Sequence, residues 1–201
     1  RMTIQPLQTE ETGSHYEILL RMRDEAGLLV SPDLFISAAE RYGLISNIDR
    51  WVVEHAFLWL VSEADERERL ALCSINLSGS SLADNEFLPF VIRQFQRSGL
   101  DASKICFEIT ETAAIASFAQ ASRFINALKE LGCKFALDDF GTGLSSFGYL
   151  KHFPVDYLKI DGSFVKEMLH DPIDREMVRS INEIGHLTGK KVIAEWAENQ
   201  E

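Results

Sequence analysis

The sequence has few cysteines and no surplus of basic residues, and each shortage excludes a class of protein. Its three cysteines, Cys73, Cys106 and Cys133, are too few for a disulfide framework and form no CxxC pair. Twenty Lys and Arg stand against 31 Asp and Glu, a formal net charge of -11, so the chain lacks the basic footprint of a nonspecific nucleic-acid binder. We therefore expect a reduced, cytoplasmic domain that binds no nucleic-acid polymer.

Long apolar runs are missing as well. No stretch approaches the roughly 18 residues of a membrane span, and no signal-peptide pattern precedes the first motif. We expect this segment to make no direct membrane contact, within a parent protein that is either soluble or membrane-anchored. Because the chain starts at Arg1 and stops directly after a strand-like run, we expect it to be a piece of a longer protein.

Short apolar runs with period-two alternation are present, and longer stretches of helical period separate them. The predicted strands are 2–7, 16–22, 70–76, 105–110, 134–138, 157–161 and 191–195. The predicted helices carry apolar stripes at Ile48, Trp51, Val52, Ala56 and Trp59, at Phe124, Ile125, Leu128 and Leu131, and at Met177, Val178, Ile181 and Ile184.

This alternation predicts one α/β domain over residues 1–201, with a mostly parallel sheet covered by helices. A (β/α)8 barrel needs eight strands and about 250 residues. The pattern shows only seven strands, so the pattern alone leaves a barrel and an open doubly wound sheet as alternatives.

Six of the predicted strands have an apolar face and an opposite face that becomes polar toward the carboxyl end. Five of them supply an acid and the sixth supplies an amide. These polar residues and their neighbours are Glu17, Asn76, Glu108, Asp138, Asp139, Lys159, Asp161 and Glu195. In a barrel, this face points into the mouth where active sites are built. Converging carboxylates repel one another unless a cation lies among them, so the pattern predicts a metal.

The donor set indicates which metal. It contains oxygen ligands and no His or Cys, which favours a hard cation such as Mg2+ or Mn2+ over zinc. Asp138 and Asp139 are adjacent, with side chains expected on opposite sides of a strand end, which suits ligands that bridge two ions. Lys159 lies on the same face and is placed to hold a phosphate oxygen or a water molecule.

Several motifs then resemble a known family along the whole chain. They are EILLR at 17–21, SPDLFISAAERYGLISNIDRWVVEHAF at 31–57, INLS at 75–78, FEITE at 107–111, DDFGTGLSS at 138–146, YLKID at 157–161 and VIAEWAE at 192–198. In this order they resemble the EAL domains, which are bacterial cyclic di-GMP phosphodiesterases. The resemblance implies a modified TIM (β/α)8 barrel with an antiparallel first strand. It also implies that this segment is truncated at the C-terminus and lacks the last βα unit.

The resemblance implies a role for each site residue and a reaction. One Mg2+ or Mn2+ ion would be held by Glu17, Asn76, Glu108 and Asp138, and a second by Asp138, Asp139 and Glu195. The catalytic residues would be Glu17, Lys159 and Glu195, with Lys159 at the attacking water or the scissile phosphate and Glu195 orienting or deprotonating that water. Leu19 and Arg21 would contact the dinucleotide. The reaction opens one phosphodiester bond of cyclic di-GMP to give linear pGpG.

The remaining expectations concern the surroundings of the site. Glu111 would hold the mobile loop at 140–146, which the family ties to metal occupancy and dimerisation, and Asp161 and Glu198 would belong to the strand-end network. We expect a homodimer, within a parent protein that carries sensory or diguanylate cyclase domains.

The chain departs from the family pattern at two motifs. Ile18 stands where the family has Ala, but it lies on the outward face of its strand, so we expect only a change in packing. Trp196 stands where Gly is expected and Ala197 where Val is, and a bulky ring beside Glu195 is expected to narrow the mouth or shift that ligand.

Two other function classes compete with the enzyme. A signalling receptor would bind cyclic di-GMP without cutting it, whereas here every ligand position that the segment spans keeps the family residue. A pure protein-interaction module would leave the retained ligand set unexplained. The sequence therefore favours the hydrolase.

We predict that Glu17→Ala abolishes hydrolysis of cyclic di-GMP, because the substitution removes an oxygen ligand of the predicted metal site. Chromatographic separation of pGpG from the substrate measures the loss. Glu68→Ala, in the charged run at 63–69, is the matched control and should keep full activity. Undiminished pGpG production by the Glu17 variant would contradict the metal assignment.

Overall fold

The structure is a computed structural model of the chain, and it describes residues 2–7, 13–143 and 147–196. The chain forms two compact units. The first comprises Arg1–Phe107 and Ala127–Lys134, and the second comprises Glu108–Asn126 and Phe135–Glu201. Each unit mixes helices and strands, as the alternating pattern predicts. Within the described ranges, no helix has both the length and the hydropathy that a membrane crossing requires.

The first unit begins with a strand that is antiparallel to its neighbour. Its elements are β1 (Met2–Leu7), β2 (Ser14–Leu20), β3 (Met22–Arg23), β4 (Leu29–Val30), α1 (Pro32–Arg41), α2 (Ile45–Ser62), α3 (Ala64–Arg69), β5 (Leu70–Leu77), α4 (Gly79–Ala83), α5 (Phe87–Ser98), a short 3-10 helix (Ala102–Lys104) and the start of β6 (Ile105–Thr110). β1 pairs with β2 antiparallel, and β2 pairs with β5 parallel. The strand order is β1, β2, β5, β6.

The second unit is built from parallel strands that alternate with helices. It continues β6 and contains α6 (Glu111–Ala116), most of α7 (Phe118–Lys129), β7 (Lys134–Phe140), a 3-10 helix (Phe147–Lys151), β8 (Tyr157–Ile160), α8 (Gly162–Glu167), α9 (Pro172–Leu187) and β9 (Lys191–Ala194). β7 pairs with β8 and β8 with β9, both parallel, in the order β6, β7, β8, β9.

The strand order bears on the choice between the two α/β architectures. A doubly wound sheet reverses its strand order at a switch point, whereas barrel strands follow the chain around the sheet. In each unit the main-sheet strands follow chain order without reversal, and β3 and β4 form a separate hairpin. The local winding is that of a barrel.

The predicted boundaries differ from the observed ones where the backbone breaks its alternation. The strand predicted at 16–22 spans Ser14–Leu20 instead, and β3 starts after a break at Arg21. β7 extends to Phe140, two residues beyond the prediction. The hairpin of β3 and β4 was missed, because two-residue strands are too short to show a period.

The stripe predicted for α2 is partly wrong. Trp51 is 37% exposed and stacks on His55, whereas Val53, Phe57 and Leu60 are buried. The helix faces the core with the row that includes these three residues, because the aliphatic and phenyl side chains bury apolar area without an indole N–H to satisfy. Similarly, Leu131 lies past the end of α7 and is exposed.

A buried carboxylate ties the end of β5 to α2. Asp49 in α2 accepts hydrogen bonds from the Ser78 backbone N–H at 2.9 Å, the Ser78 hydroxyl at 2.7 Å and the Ser81 hydroxyl at 2.7 Å. Burial raises the pKa of Asp49, and these three donors oppose that shift. Ser78 lies two residues after Asn76, so Asp49 fixes the backbone at the polar end of this strand.

We predict that Asp49→Ala lowers the free energy of unfolding by about 2 to 4 kcal/mol, because the change leaves buried donors without an acceptor. Urea denaturation followed by circular dichroism measures the difference. Ser80→Ala, at an exposed position of α4, is the control and should change little. Equal stability of the two variants would contradict a structural role for the Asp49 carboxylate.

Candidate active site

A bulge in β7 places two aspartates where a regular strand would place one. Asp138 and Asp139 of β7 lie opposite the single residue Lys159 of β8, because the parallel register shifts between Leu137 and Phe140. Asp139 has a φ of 52°, in the left-handed region that few residues other than glycine adopt. Bulges are found next to active sites, where they redirect a side chain.

The bulge corrects the expectation that the two aspartates point to opposite sides of the strand end. One carboxylate oxygen each from Asp138, Asp139 and Glu195 lies within 4.8 Å of the others. Regular alternation would separate neighbouring side chains, but the positive φ at Asp139 breaks that alternation. Three oxygen donors at this spacing fit a hard divalent cation.

Lys159 is the positive charge at the centre of this cluster. Its Nζ lies 2.6 Å from Glu108 Oε2, 3.0 Å from Asp138 Oδ1 and 2.9 Å from Glu195 Oε1. Lys159 and Glu108 are each only 2% exposed. A buried ion is stable when paired and hydrogen-bonded, so the ammonium and the carboxylates stabilise one another. The second unit thus brings together five of the predicted site residues.

Two carboxyl groups of the cluster titrate far above their ordinary range. Burial is the main cause that raises the pKa of Glu195 to about 7, followed by the charge of Asp138 and opposed by Lys159. Burial likewise raises the pKa of Asp139 to about 6, with further contributions from Asp138 and Asp161. Such shifts are found where like charges lie close together and partly out of water, as at functional sites.

Glu111 is held at the start of α6 and contacts the segment that follows the aspartates. It is 2% exposed and accepts a hydrogen bond from the Gly141 N–H at 3.0 Å and another from the Tyr149 hydroxyl at 2.8 Å. Burial and this bond raise the pKa of the Tyr149 phenol. Gly141 belongs to the loop at 140–146 that Glu111 is predicted to hold, and residues 144–146 of this loop lie outside the described residues.

Tyr149 did not emerge from the sequence as a site residue. It lies in a 3-10 helix between the loop and β8, where a tyrosine follows the pattern of ordinary packing residues. What distinguishes Tyr149 is the hydrogen bond from its hydroxyl to the buried carboxylate of Glu111, and only the three-dimensional structure shows this bond.

The first unit brings together the other two predicted ligands. Asn76 Nδ2 donates to Glu17 Oε1 at 2.9 Å, across the parallel pair of β2 and β5. Ile18 is buried, in agreement with its predicted packing role. Arg21 donates from Nη1 to the carbonyl of Leu20 at 2.9 Å, and the carbonyl of Leu19 accepts from the Thr3 hydroxyl at 2.9 Å.

Asp161 and Trp196 lie around α8. Asp161 caps this helix and accepts hydrogen bonds from the backbone N–H and the hydroxyl of Ser163. The Trp196 ring lies against Gly162, the first residue of α8. Glu198 and Ala197 lie outside the described residues.

Comparison with known proteins gives consistent results along the whole chain. The EAL domain family profile matches residues 1–201. A cyclic di-GMP phosphodiesterase named PdeB, from Shewanella oneidensis, is 40% identical over 198 residues, which cover 98% of this chain and 23% of that protein. The Escherichia coli (strain K12) cyclic di-GMP phosphodiesterase PdeF is 37% identical, over 98% of this chain and 26% of its own. The chain thus spans about a quarter of these relatives.

Solved structures show the same similarity in three dimensions. The FimX EAL domain from Pseudomonas aeruginosa bound to c-di-GMP has a TM-score of 0.90 at 31% identity, covering 100% of this chain and 81% of that chain. A c-di-GMP complex of the PaMucR phosphodiesterase has a TM-score of 0.85 at 29% identity, covering 100% and 82%. The α/β fold predicted from the motifs is therefore confirmed.

We predict that divalent metal binding releases protons below neutral pH and tightens as the pH rises. Asp139 and Glu195, with pKa values raised to about 6 and about 7, must lose protons before they bind a cation. Calorimetric titration with Mn2+ in two buffers of different ionisation enthalpy should show proton release at about pH 6 and little at about pH 8.

The control for this measurement is a carboxylate away from the cluster. Glu167→Gln, at an exposed position of α8, should keep the pH dependence, whereas the Asp139→Asn, Glu195→Gln double variant should lose it together with affinity. A proton count that does not change between the two pH values would contradict the raised pKa values.

Proposed function

This chain belongs to the EAL domain family, and on that premise we propose that it hydrolyses one phosphodiester bond of cyclic di-GMP to give linear pGpG. The observation that carries the proposal is the cluster in which Lys159 contacts Glu108, Asp138 and Glu195. The names of the curated relatives support the same activity. Since the chain spans about a quarter of those relatives, the activity of the whole protein is part of the proposal.

The proposed cofactor is a pair of Mg2+ or Mn2+ ions. Asp138, Asp139 and Glu195 would hold one of them, because their oxygens already lie within 4.8 Å of one another. Glu17, Asn76 and Glu108 would join Asp138 at the other, as the family resemblance implies. When bound, such ions lower the pKa of water and neutralise charge on a phosphoryl group.

The residues of the chain would supply orientation, charge and proton acceptance. The Lys159 ammonium, which contacts three carboxylates, would stabilise negative charge that develops on a phosphate oxygen. Glu195 has a pKa raised to about 7, close to the value that suits a general base at neutral pH. Leu19 and Arg21, at the end of β2, would contact the dinucleotide.

Glu111 would act on the loop rather than on the substrate. Its two hydrogen bonds, from Gly141 and Tyr149, restrain the backbone directly after the paired aspartates. Asp161 and Glu198 would complete the surrounding network, with Asp161 facing Asp139.

The alternative is a receptor that binds cyclic di-GMP without cutting it. A dinucleotide with two phosphates is an anion, and a receptor for an anion gains nothing from a concentration of carboxylates. The retained acids are useful once divalent ions bind, so they favour the hydrolase. The departure from the family residue at Trp196 would favour the receptor only if the ring displaced the Glu195 carboxylate.

Further proposals concern the whole protein. We propose a homodimer in the bacterial cytoplasm, in a parent chain that adds sensory or diguanylate cyclase domains. These proposals follow from the family resemblance, and the greater length of the relatives is consistent with additional domains.

The decisive experiment is incubation with cyclic di-GMP in Mg2+ or Mn2+ and, separately, in chelator, with chromatographic separation of products. We expect pGpG only with metal, and a loss of at least about a hundredfold in Asp138→Asn, which keeps the shape but removes the charged ligand. Asp33→Asn, at an exposed position of α1, is the matched control. Tight binding of cyclic di-GMP without metal-dependent pGpG would establish the receptor instead.

A further inference from the structure

Trp196 is 60% exposed, and its ring makes two contacts with α8. Its ring lies directly on Gly162, and a methyl group placed at that glycine would overlap the indole. The Nζ of Lys166, one turn further along α8, lies 3.5 Å from the ring centroid, a cation-π geometry. The sequence alone did not indicate this contact, which is possible because residue 162 has no Cβ.

The backbone at Trp196 requires such an anchor. Its φ is 55°, in the left-handed region where a bulky side chain is disfavoured. A residue remains in this conformation only when its surroundings compensate for the strain. Gly162 and Lys166 provide the compensating contacts.

The anchored residue directly follows a member of the acidic cluster. Glu195 lies just past β9, where its N–H donates to the Ile160 carbonyl at 3.3 Å and its carboxylate contacts Lys159 at 2.9 Å. The backbone that carries this carboxylate is therefore held on one side by β8 and on the other by the Trp196 ring on α8. Asp161, which caps the same helix, faces Asp139.

We propose that Trp196 is a positioning residue that fixes the Glu195 carboxylate for metal binding, through a complementary contact with Gly162. The inference rests on the proposed function in one respect, the role of Glu195 as a ligand. The indole of residue 196 fits only because residue 162 has no Cβ. Residue 162 in turn needs to lack a Cβ only because the indole lies there.

The first test is a double-mutant cycle on thermal unfolding of the metal-free protein, with Trp196→Gly, Gly162→Ala and the combined variant. Gly162→Ala should lower the melting temperature when the indole is present, because the methyl group displaces the ring. In the Trp196→Gly background, Gly162→Ala should be neutral or stabilising, because alanine fits an ordinary helical backbone and lowers the conformational entropy of the unfolded chain. This sign change separates a specific contact from general damage to α8.

The second test is the dissociation constant for Mn2+, measured by calorimetry without substrate. Loss of a partner that orients a metal ligand weakens metal binding by about ten- to a hundredfold, so we expect at least about tenfold for Trp196→Gly and for Gly162→Ala. Trp196→Phe keeps an aromatic ring and should therefore retain most of the affinity for Mn2+. Trp51→Ala, which removes a tryptophan from the surface of α2, should leave the affinity unchanged.

The outcomes are distinct. An equal effect of Gly162→Ala in both backgrounds overturns the contact, and unchanged Mn2+ affinity in Trp196→Gly overturns the positioning role while the proposed function stands. Failure of the unaltered protein to bind Mn2+ overturns the metal-dependent function, and this inference with it.

Discussion

The buried ammonium of Lys159 is the interaction on which the acidic cluster depends. Glu108, Asp138 and Glu195 could not share so small a space with so little water unless a positive charge lay among them. The lysine also lies in the middle of a parallel strand, so its position is set by the hydrogen bonds of β8 with both neighbours. The sheet therefore fixes the position of the Lys159 ammonium, and the ammonium holds the three carboxylates close together.

Other side-chain contacts around the cluster also connect separate elements, through two buried carboxylates and one exposed tryptophan. Asp49 joins α2 to the end of β5, Glu111 joins α6 to the segment after β7, and Trp196 joins the end of β9 to α8. Each of these contacts lies within a few residues of a proposed ligand. The positions of the ligands thus result from several short connections rather than from the strands alone.

The period-two and helical patterns were sufficient to predict the main strands, and the acids on one face of the strands pointed to a shared site. The antiparallel first strand followed from the family resemblance. The patterns could not predict the hairpin of β3 and β4 or the exposure of Trp51, because both depend on which surface the neighbouring elements leave open. The joint direction of Asp138 and Asp139 depends on one φ angle, which no alternation rule contains. The contact between the Trp196 ring and Gly162 joins residues 34 positions apart, so the local sequence does not predict it.

The bulge in β7 also limits how this segment can change in length. Leu137 pairs with Leu158 and Phe140 with Ile160, so three steps along β7 match two steps along β8. Deleting one aspartate would restore one-to-one pairing with β8 and keep Phe140 opposite Ile160, but it would leave one carboxylate where two now lie close to Glu195. A deletion here would therefore remove one of the clustered carboxylates without moving the core phenylalanine. The extra residue between Leu137 and Phe140 serves the acidic cluster and not the pairing of the sheet.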